Sequence, residues 1–434
     1  MNLFDPLKGS LSRQLAEARR LSAMRKAFRT VKDRQQYNRN RISDLEERRR
    51  RLRQTRERAV GDQPLLEQAV EHLEENGIKV LRAETATDAL SLLLREIGEE
   101  KLVVKAKSNA CKEIELTRAL EERGIKVVET DIGDRIIQLT AEKPCHPTGP
   151  ASHLSPREIA RALSAHLGRE VEPEPEALAG LLREEIAGYF ARAKVGISGA
   201  NAITAEEGAL VLLHNEGNIL EVMLRPRKHL ILAGIEKIYP NLDEAINMAK
   251  LQTFYATGAP LTAFINIIGG PSRTADIEKR LIQGVHGPAE VCLILLDNHR
   301  SEIINSGYGE LLYCIGCGEC LLVCPAYGVY GSQFSGEGEP GGKGALLSTL
   351  WGKATGEREL ELCLNCGKCR EHCPVSIDLP SLIRRLREEH RREVFPRPLD
   401  ASLHFAASHL RWLGKAIQLE TLLLLSRVMG LSAR

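Results

Sequence analysis

CIGCGECLLVCP at residues 314–325 returns as CLNCGKCREHCP at residues 363–374. In each copy three cysteines stand two residues apart. A fourth follows after three more residues and is succeeded by proline. This is the bacterial ferredoxin run for a [4Fe–4S] cluster, so the pair predicts two clusters. Three closely spaced thiolates wrap one cubane, while the cysteine before proline reaches the neighbouring one. On that rule Cys314, Cys317, Cys320 and Cys373 hold the first cluster, and Cys363, Cys366, Cys369 and Cys324 hold the second. Zinc knuckles would explain a single Cys-x-x-Cys. They give no reason for a third Cys-x-x-Cys step and a Cys-Pro, twice over. Disulfides fit poorly with a chain that opens without a secretory signal.

Length and composition set the frame. The chain has 434 residues, 43% hydrophobic and 27% charged, with a formal net charge of +2. That length predicts two or three domains with a sizeable core, and the balance of charge selects no acidic or basic partner. Eight of the 11 cysteines belong to the two motifs. Cys111, Cys145 and Cys292 are expected to be small buried hydrophobes. The apolar runs, the leucine stretch at residues 422–425 among them, are too short to span a bilayer, so a cytoplasmic protein without a membrane span is expected.

Residues 1–61 are Arg-rich. Eight arginines fall between Arg41 and Arg58, interleaved with Asp44, Glu46, Glu47 and Glu57. The reading is a solvated or partner-contacting helix. No aromatic residue lies there to stack bases, so no nucleic-acid partner is expected. Residues 62–305 alternate helical patterns with short apolar strands, expected at 78–81, 102–105, 125–129, 195–197, 209–213, 230–233, 263–267 and 291–295. The helix at 88–97 is expected to start from Thr87. Such alternation predicts an α/β domain with a mostly parallel sheet covered by helices. Residues 306–392 form the two-cluster module, read as an α-helical ferredoxin because the cysteine flanks look helical. Residues 393–434 form a helical tail, with helices at 403–413 and 417–429.

Open parallel sheets bind ligands beyond the carboxyl ends of their strands. Polar residues just after the expected strands are therefore the substrate-binding candidates: Lys105, Asn201, Glu216, Asn218, Ser272, Arg273 and Thr274. The last three follow Gly269-Gly270-Pro271 and are expected to open a helix at 275–282, whose N-terminus would receive a carboxylate or phosphate. Each has a plainer reading as a cap, a turn former or a surface ion pair. No dinucleotide fingerprint, Walker run or zinc-hydrolase pattern is present, and no catalytic residue is assigned.

Several stretches together resemble lactate utilization protein B, a family of LUD-domain iron–sulfur proteins. They are Val103-Val104-Lys105-Ala106-Lys107-Ser108, Glu129-Thr130-Asp131, Gly196-Ile197-Ser198-Gly199-Ala200-Asn201 and Asn215-Glu216-Gly217-Asn218. Gly234-Ile235-Glu236-Lys237, Leu296-Asp297-Asn298-His299-Arg300-Ser301 and the cysteine pair complete the match. Gly270-Pro271-Ser272-Arg273-Thr274-Ala275-Asp276-Ile277-Glu278 is more similar to the family's cluster-free C-type subunit. The resemblance implies a NagB/RpiA/CoA-transferase-like fold for the LUD domain. It implies an iron–sulfur electron-transfer subunit of a system oxidising L-lactate to pyruvate, with a Cys-rich iron–sulfur subunit and a cluster-free LUD subunit as companions. The rival readings are service to a different anaerobic dehydrogenase, and a ligand-sensing or scaffold protein with structural clusters.

Overall fold

The strand Glu290–Leu296, EVCLILL, is apolar at six successive positions and buried at all six. A strand reads that way when both faces of its sheet are covered. In the computed structural model, which describes residues 5–335, 339–352, 356 and 359–394, it is β12, inside a six-stranded sheet. The order is β1 (Lys79–Ala83), β12, β7 (Lys228–Gly234), β4 (Val195–Ser198), β2 (Leu102–Lys105) and β3 (Lys126–Glu129). All five pairings are parallel. Their carboxyl ends therefore share one edge. Two apolar layers cover the faces, one around Val104, Leu210 and Leu293, the other around Leu93, Val103 and Leu232.

The helix Ala86–Ile97 starts two residues earlier than the sequence suggested. Its cap is Thr85, whose hydroxyl accepts from Asp88 N at 3.1 Å while Asp88 accepts from Thr85 N at 3.0 Å. This reciprocal box satisfies two amides that Thr87 would leave exposed.

Two expected strands leave the parallel sheet. Ala209–His214 (β6) and Phe264–Ile268 (β9) join β5 (Ala202–Thr204) and β8 (Ile238–Tyr239) in a second sheet ordered β8-β5-β6-β9. Within it β6 and β9 run antiparallel, with His214 opposite Phe264 and Leu210 opposite Ile268. The residues after β9 thus emerge at the opposite end from His214 and Glu216. The helix expected at 275–282 is absent. Instead Arg273–Thr274 (β10) pairs with Ile282–Gln283 (β11) as a small hairpin. Glu278 and Lys279, both at positive φ, turn the chain inside it.

The Arg-rich segment is helical, as α1 (Asp5–Arg39) and α2 (Leu45–Ala59), followed by α3 (Gln63–Glu75). It is not a solvated flank. Leu45, Leu52 and Ala59 are buried along one face of α2, and Met24 and Phe28 along α1. Burying a Leu side chain contributes about 1.5–3 kcal/mol. Met24, Phe28, Leu45 and Leu52 share one apolar core with the helix Leu242–Thr257 and with Leu311, Tyr327 and Ile383 around the cysteine motifs. Arginine-rich composition hid this face because the charges occupy the other positions of the same helix. Among the described residues no helix is long and apolar enough to cross a membrane. The helices expected at 403–413 and 417–429 lie outside the described residues.

Candidate functional site: a cavity behind the first cysteine loop

Because the large sheet is parallel, the segments after β2, β3, β4, β7 and β12 converge on one cavity of about 270 Å³. Lys107, Asp131, Asn201, Lys237 and Arg300 reach it from those segments, and Glu216 and Asn218 from the turn after β6. Lys107 donates to Asp131 at 2.7 Å. Glu216 accepts from Ile132 N at 3.0 Å. Burial, and then the neighbouring Asp131 carboxylate, push the Glu216 carboxyl up to about 7. Asn201 is held by its amide donating to Gln252 and its oxygen accepting from Leu213 N, each at 3.0 Å.

Below the cavity floor Arg300 spans two carboxylates. It donates to Glu113 at 2.7 and 2.9 Å and to Glu236. Burial opposes the Glu236 charge, yet Arg300 and then Lys237 outweigh it and bring that carboxyl down to about 2. Lys237 lies 3.6 Å from Glu236.

The expected substrate residues divide into three groups. Asn201, Glu216 and Asn218 line the cavity. Lys105 does not: it is 1% exposed and its ammonium donates to Glu129 at 2.8 Å. Its carbonyl accepts the Thr130 hydroxyl at 3.0 Å, and Thr130 in turn accepts from the Asn218 amide at 3.1 Å. Lys105 thus supports the wall from behind. Ser272, Arg273 and Thr274 are elsewhere altogether, in the hairpin beyond the far end of β9. Without a helix at 275–282 the argument for an anion there falls. Ser272 Oγ instead accepts from His286 N at 3.3 Å, and Thr274 donates to Asp276 at 3.1 Å.

The cysteines form the opposite wall. Both motifs take the same backbone course: the second residue after the leading cysteine has positive φ (Gly316 and Asn365), as does the fourth (Gly318 and Gly367). These left-handed turns curl the chain around a centre and leave amides facing sulfur. Gly316 N lies 3.4 Å from Cys314 Sγ, and Tyr327 N 3.4 Å from Cys324 Sγ. Burial first, and then cysteines of the other motif, push three thiols of the first motif up: Cys373 acts on Cys317, Cys373 and Cys369 act on Cys320, and Cys363 and Cys366 act on Cys324. A void of about 30 Å³ lies between Cys314, Cys320 and Gly318. Among the described residues no three such side chains close on a single-ion site. A cubane interposes its own iron and sulfide, so thiolates of one set need not meet. Eight thiols on two matching turns fit two [4Fe–4S] clusters in chemistry and number. Cys111, Cys145 and Cys292 are buried, and Cys145 shares the apolar core that holds Cys317.

Comparison with known proteins agrees with this geometry. The LUD domain profile matches residues 66–296, and the 4Fe-4S dicluster domain profile matches residues 310–377. An uncharacterized electron transport protein YkgF of Escherichia coli K12 is 34% identical over 373 residues, covering 84% of this chain and 77% of that protein. Lactate utilization protein B of Bacillus cytotoxicus is 33% identical over 327 residues, covering 74% of this chain and 67% of the relative. The chain belongs to the lactate utilization protein B family. The Oceanobacillus iheyensis member is 35% identical over 326 residues, covering 74% of this chain and 66% of its own. A crystal structure of a DUF162 family protein from Deinococcus radiodurans aligns at TM-score 0.31 and 13% identity, over 54% of this chain and 96% of that one. Like others with a dicluster domain, this family member carries two [4Fe–4S] clusters and serves iron–sulfur electron transfer.

Several residues that shape the site of this lactate utilization protein B homologue were not legible as such. Arg49 donates to Cys373 O at 2.9 Å and Arg53 to Val375 O at 2.9 Å. Glu319, inside the first motif and 1% exposed, accepts from Lys32 at 2.6 Å and Gln35 at 2.7 Å. His146 donates through Nε2 to Gly318 O at 3.3 Å while its Nδ1 accepts from Thr148 N. Burial holds that imidazole down to about 4, neutral and fixed in one tautomer. Lys107, Asp131, Glu236, Lys237 and Arg300 left a trace, as parts of the matching family stretches.

Proposed function

We propose that this protein is the iron–sulfur electron-transfer subunit of a cytoplasmic system oxidising L-lactate to pyruvate. One observation supports it above others: the cavity and the void of the first cysteine set share a wall, formed by Cys314, Gly316 and Lys343. A donor in the cavity would lie against a cluster ligand.

Lactate oxidation releases two electrons and two protons. Lys237 supplies a cation for the carboxylate, and Asn201 and Asn218 supply amides for orientation. Glu216, with a carboxyl near neutrality, accepts the hydroxyl proton, while the Cα hydrogen leaves with its electron pair to a hydride acceptor carried by a companion subunit, which passes the electrons on singly. Bound clusters supply two one-electron stores, enough for both electrons released. A Cys-rich iron–sulfur subunit and a cluster-free LUD subunit complete the system and take the electrons onward.

The test is anaerobic. The reconstituted protein, with its two companions, is mixed with L-lactate and the visible iron–sulfur absorption is followed. Bleaching with L-lactate and recovery with pyruvate are expected. Bleaching with another reductant of the same organism, but never with L-lactate, would instead place the protein with a different dehydrogenase.

A further inference from the structure

The helix Gly341–Leu350 lies between the two cysteine motifs and starts with Gly341, Gly342 and Lys343. A cation in the first turn sits at the positive end of the helix dipole, where anions are favoured. Lys343 is nevertheless there and largely buried, with 16% of its side chain exposed. Two groups compensate it. Glu339, just before the helix, is 2.8 Å from its ammonium. The other is Cys314, which lines both the cavity and the small void together with Lys343.

The placement is constrained by packing. Gly341 has φ +76°, and a Cβ there would come within 2.3 Å of Leu321 Cδ2. Leu321 follows Cys320, so the glycine lets the helix start press directly on the first cysteine motif. Lys343 consequently borders both the 30 Å³ void and the larger cavity. The second cysteine set is different. Cys366 is exposed, so water and ions screen nearby charge there, and the cationic side chain of Arg387 meets the set through Cys363 O at 2.9 Å.

We propose that Lys343 sets the reduction potential of the first cluster, holding it above the value the same cysteines would give alone. Reduction adds one negative charge to a cluster already bearing four thiolates. A fixed cation beside one of those sulfurs, in a poorly screened interior, favours the reduced form. Net charge and surroundings are among the factors that tune such potentials. Lys343 is a positioning residue for charge, not a ligand. The cluster beside the cavity thereby becomes a better acceptor, whatever donor the cavity receives.

The experiment is an EPR-monitored redox titration of the full-length, cluster-loaded protein. Lys343→Met should move one of the two midpoint potentials downward and leave the other in place, with iron content unchanged. Lys343→Arg should keep the original value. Glu339→Gln removes the competing carboxylate and should move the same potential upward. This opposition of sign separates tuning from general loosening, which would move both variants alike. Unchanged potentials in Lys343→Met, or shifts of the same sign in Lys343→Met and Glu339→Gln, overturn the proposal. If Lys343→Met loses the cluster, Glu339→Gln decides: an upward shift sustains it and no shift overturns it.

Discussion

The guanidinium of Arg56 donates to the backbone carbonyl of Leu312 at 2.7 Å, joining α2 to the turn that leads into Cys314. It also donates to Glu236 O and Ile238 O and lies 4.8 Å from the centre of the Tyr239 ring. One fully buried side chain therefore ties the N-terminal helix, the floor of the cavity and the first cysteine motif together. Arg56→Ala should leave three carbonyls without this donor. Losing hydrogen bonds from a charged donor costs about 1.5–3 kcal/mol each when unreplaced, and water entry will recover part of that. A net loss of roughly 3 kcal/mol is expected in denaturant unfolding, with faster cluster loss in air. Unchanged stability would remove Arg56 from this role.

The Cys-Pro spacing assigns Cys324 to the second cluster, and Cys363 and Cys366 of that motif act on its thiol. Intact protein should hold about eight iron and eight sulfide, as two cubanes require. Cys324→Ser should deplete or convert the cluster at Cys363, Cys366 and Cys369, while the EPR signal of the first cluster persists. Loss of the first cluster's signal alone would contradict crossed ligation.

Glu216 gives the cavity a pH dependence. Its carboxyl is raised to about 7, and a proton acceptor works only when ionised. Lactate-driven cluster reduction should therefore speed up as pH rises through about 7. Glu216→Gln should be slow and flat across that range. The linked effect on stability has the opposite sense: the folded state binds the proton more tightly than the unfolded chain, so this group's contribution declines as pH rises from the ordinary carboxyl range toward 7. A pH profile of the reduction rate for both proteins checks the assignment.

Glu236 should act in reverse on acid stability. Its carboxyl is held down to about 2, below its ordinary 4.5. The stabilisation is complete above about 4.5 and is lost as pH falls toward 2. At neutral pH it is on the order of 3 kcal/mol. Glu236→Gln should lose a comparable amount and show a shallower decline between those pH values. Chemical unfolding across that range, with Arg300 still bonded to Glu113 in the variant, is the measurement. An unaltered slope would show that Glu236 is not linked to folding.

The two clusters were legible in the sequence because their motif depends on spacing alone: the eight cysteines can be counted before any fold is known. The parallel sheet was legible for a related reason. Runs such as VCLILL record burial on both faces, and the segment after β4 places Asn201 near the carboxyl edge of that sheet. Strand direction leaves no comparable mark. The apolar pattern of residues 264–268 is the same whether the strand runs with its neighbours or against them, and its antiparallel pairing with β6 carried Ser272, Arg273 and Thr274 away from the cavity. Composition likewise could not show that the arginine helix turns Leu52 and Arg56 inward, since that face exists only once the helix Leu242–Thr257 and the cysteine module are packed against it. Lys343 was hidden most completely. Its partner Cys314 lies 29 positions earlier, and only the close approach at Gly341 brings the two charges together.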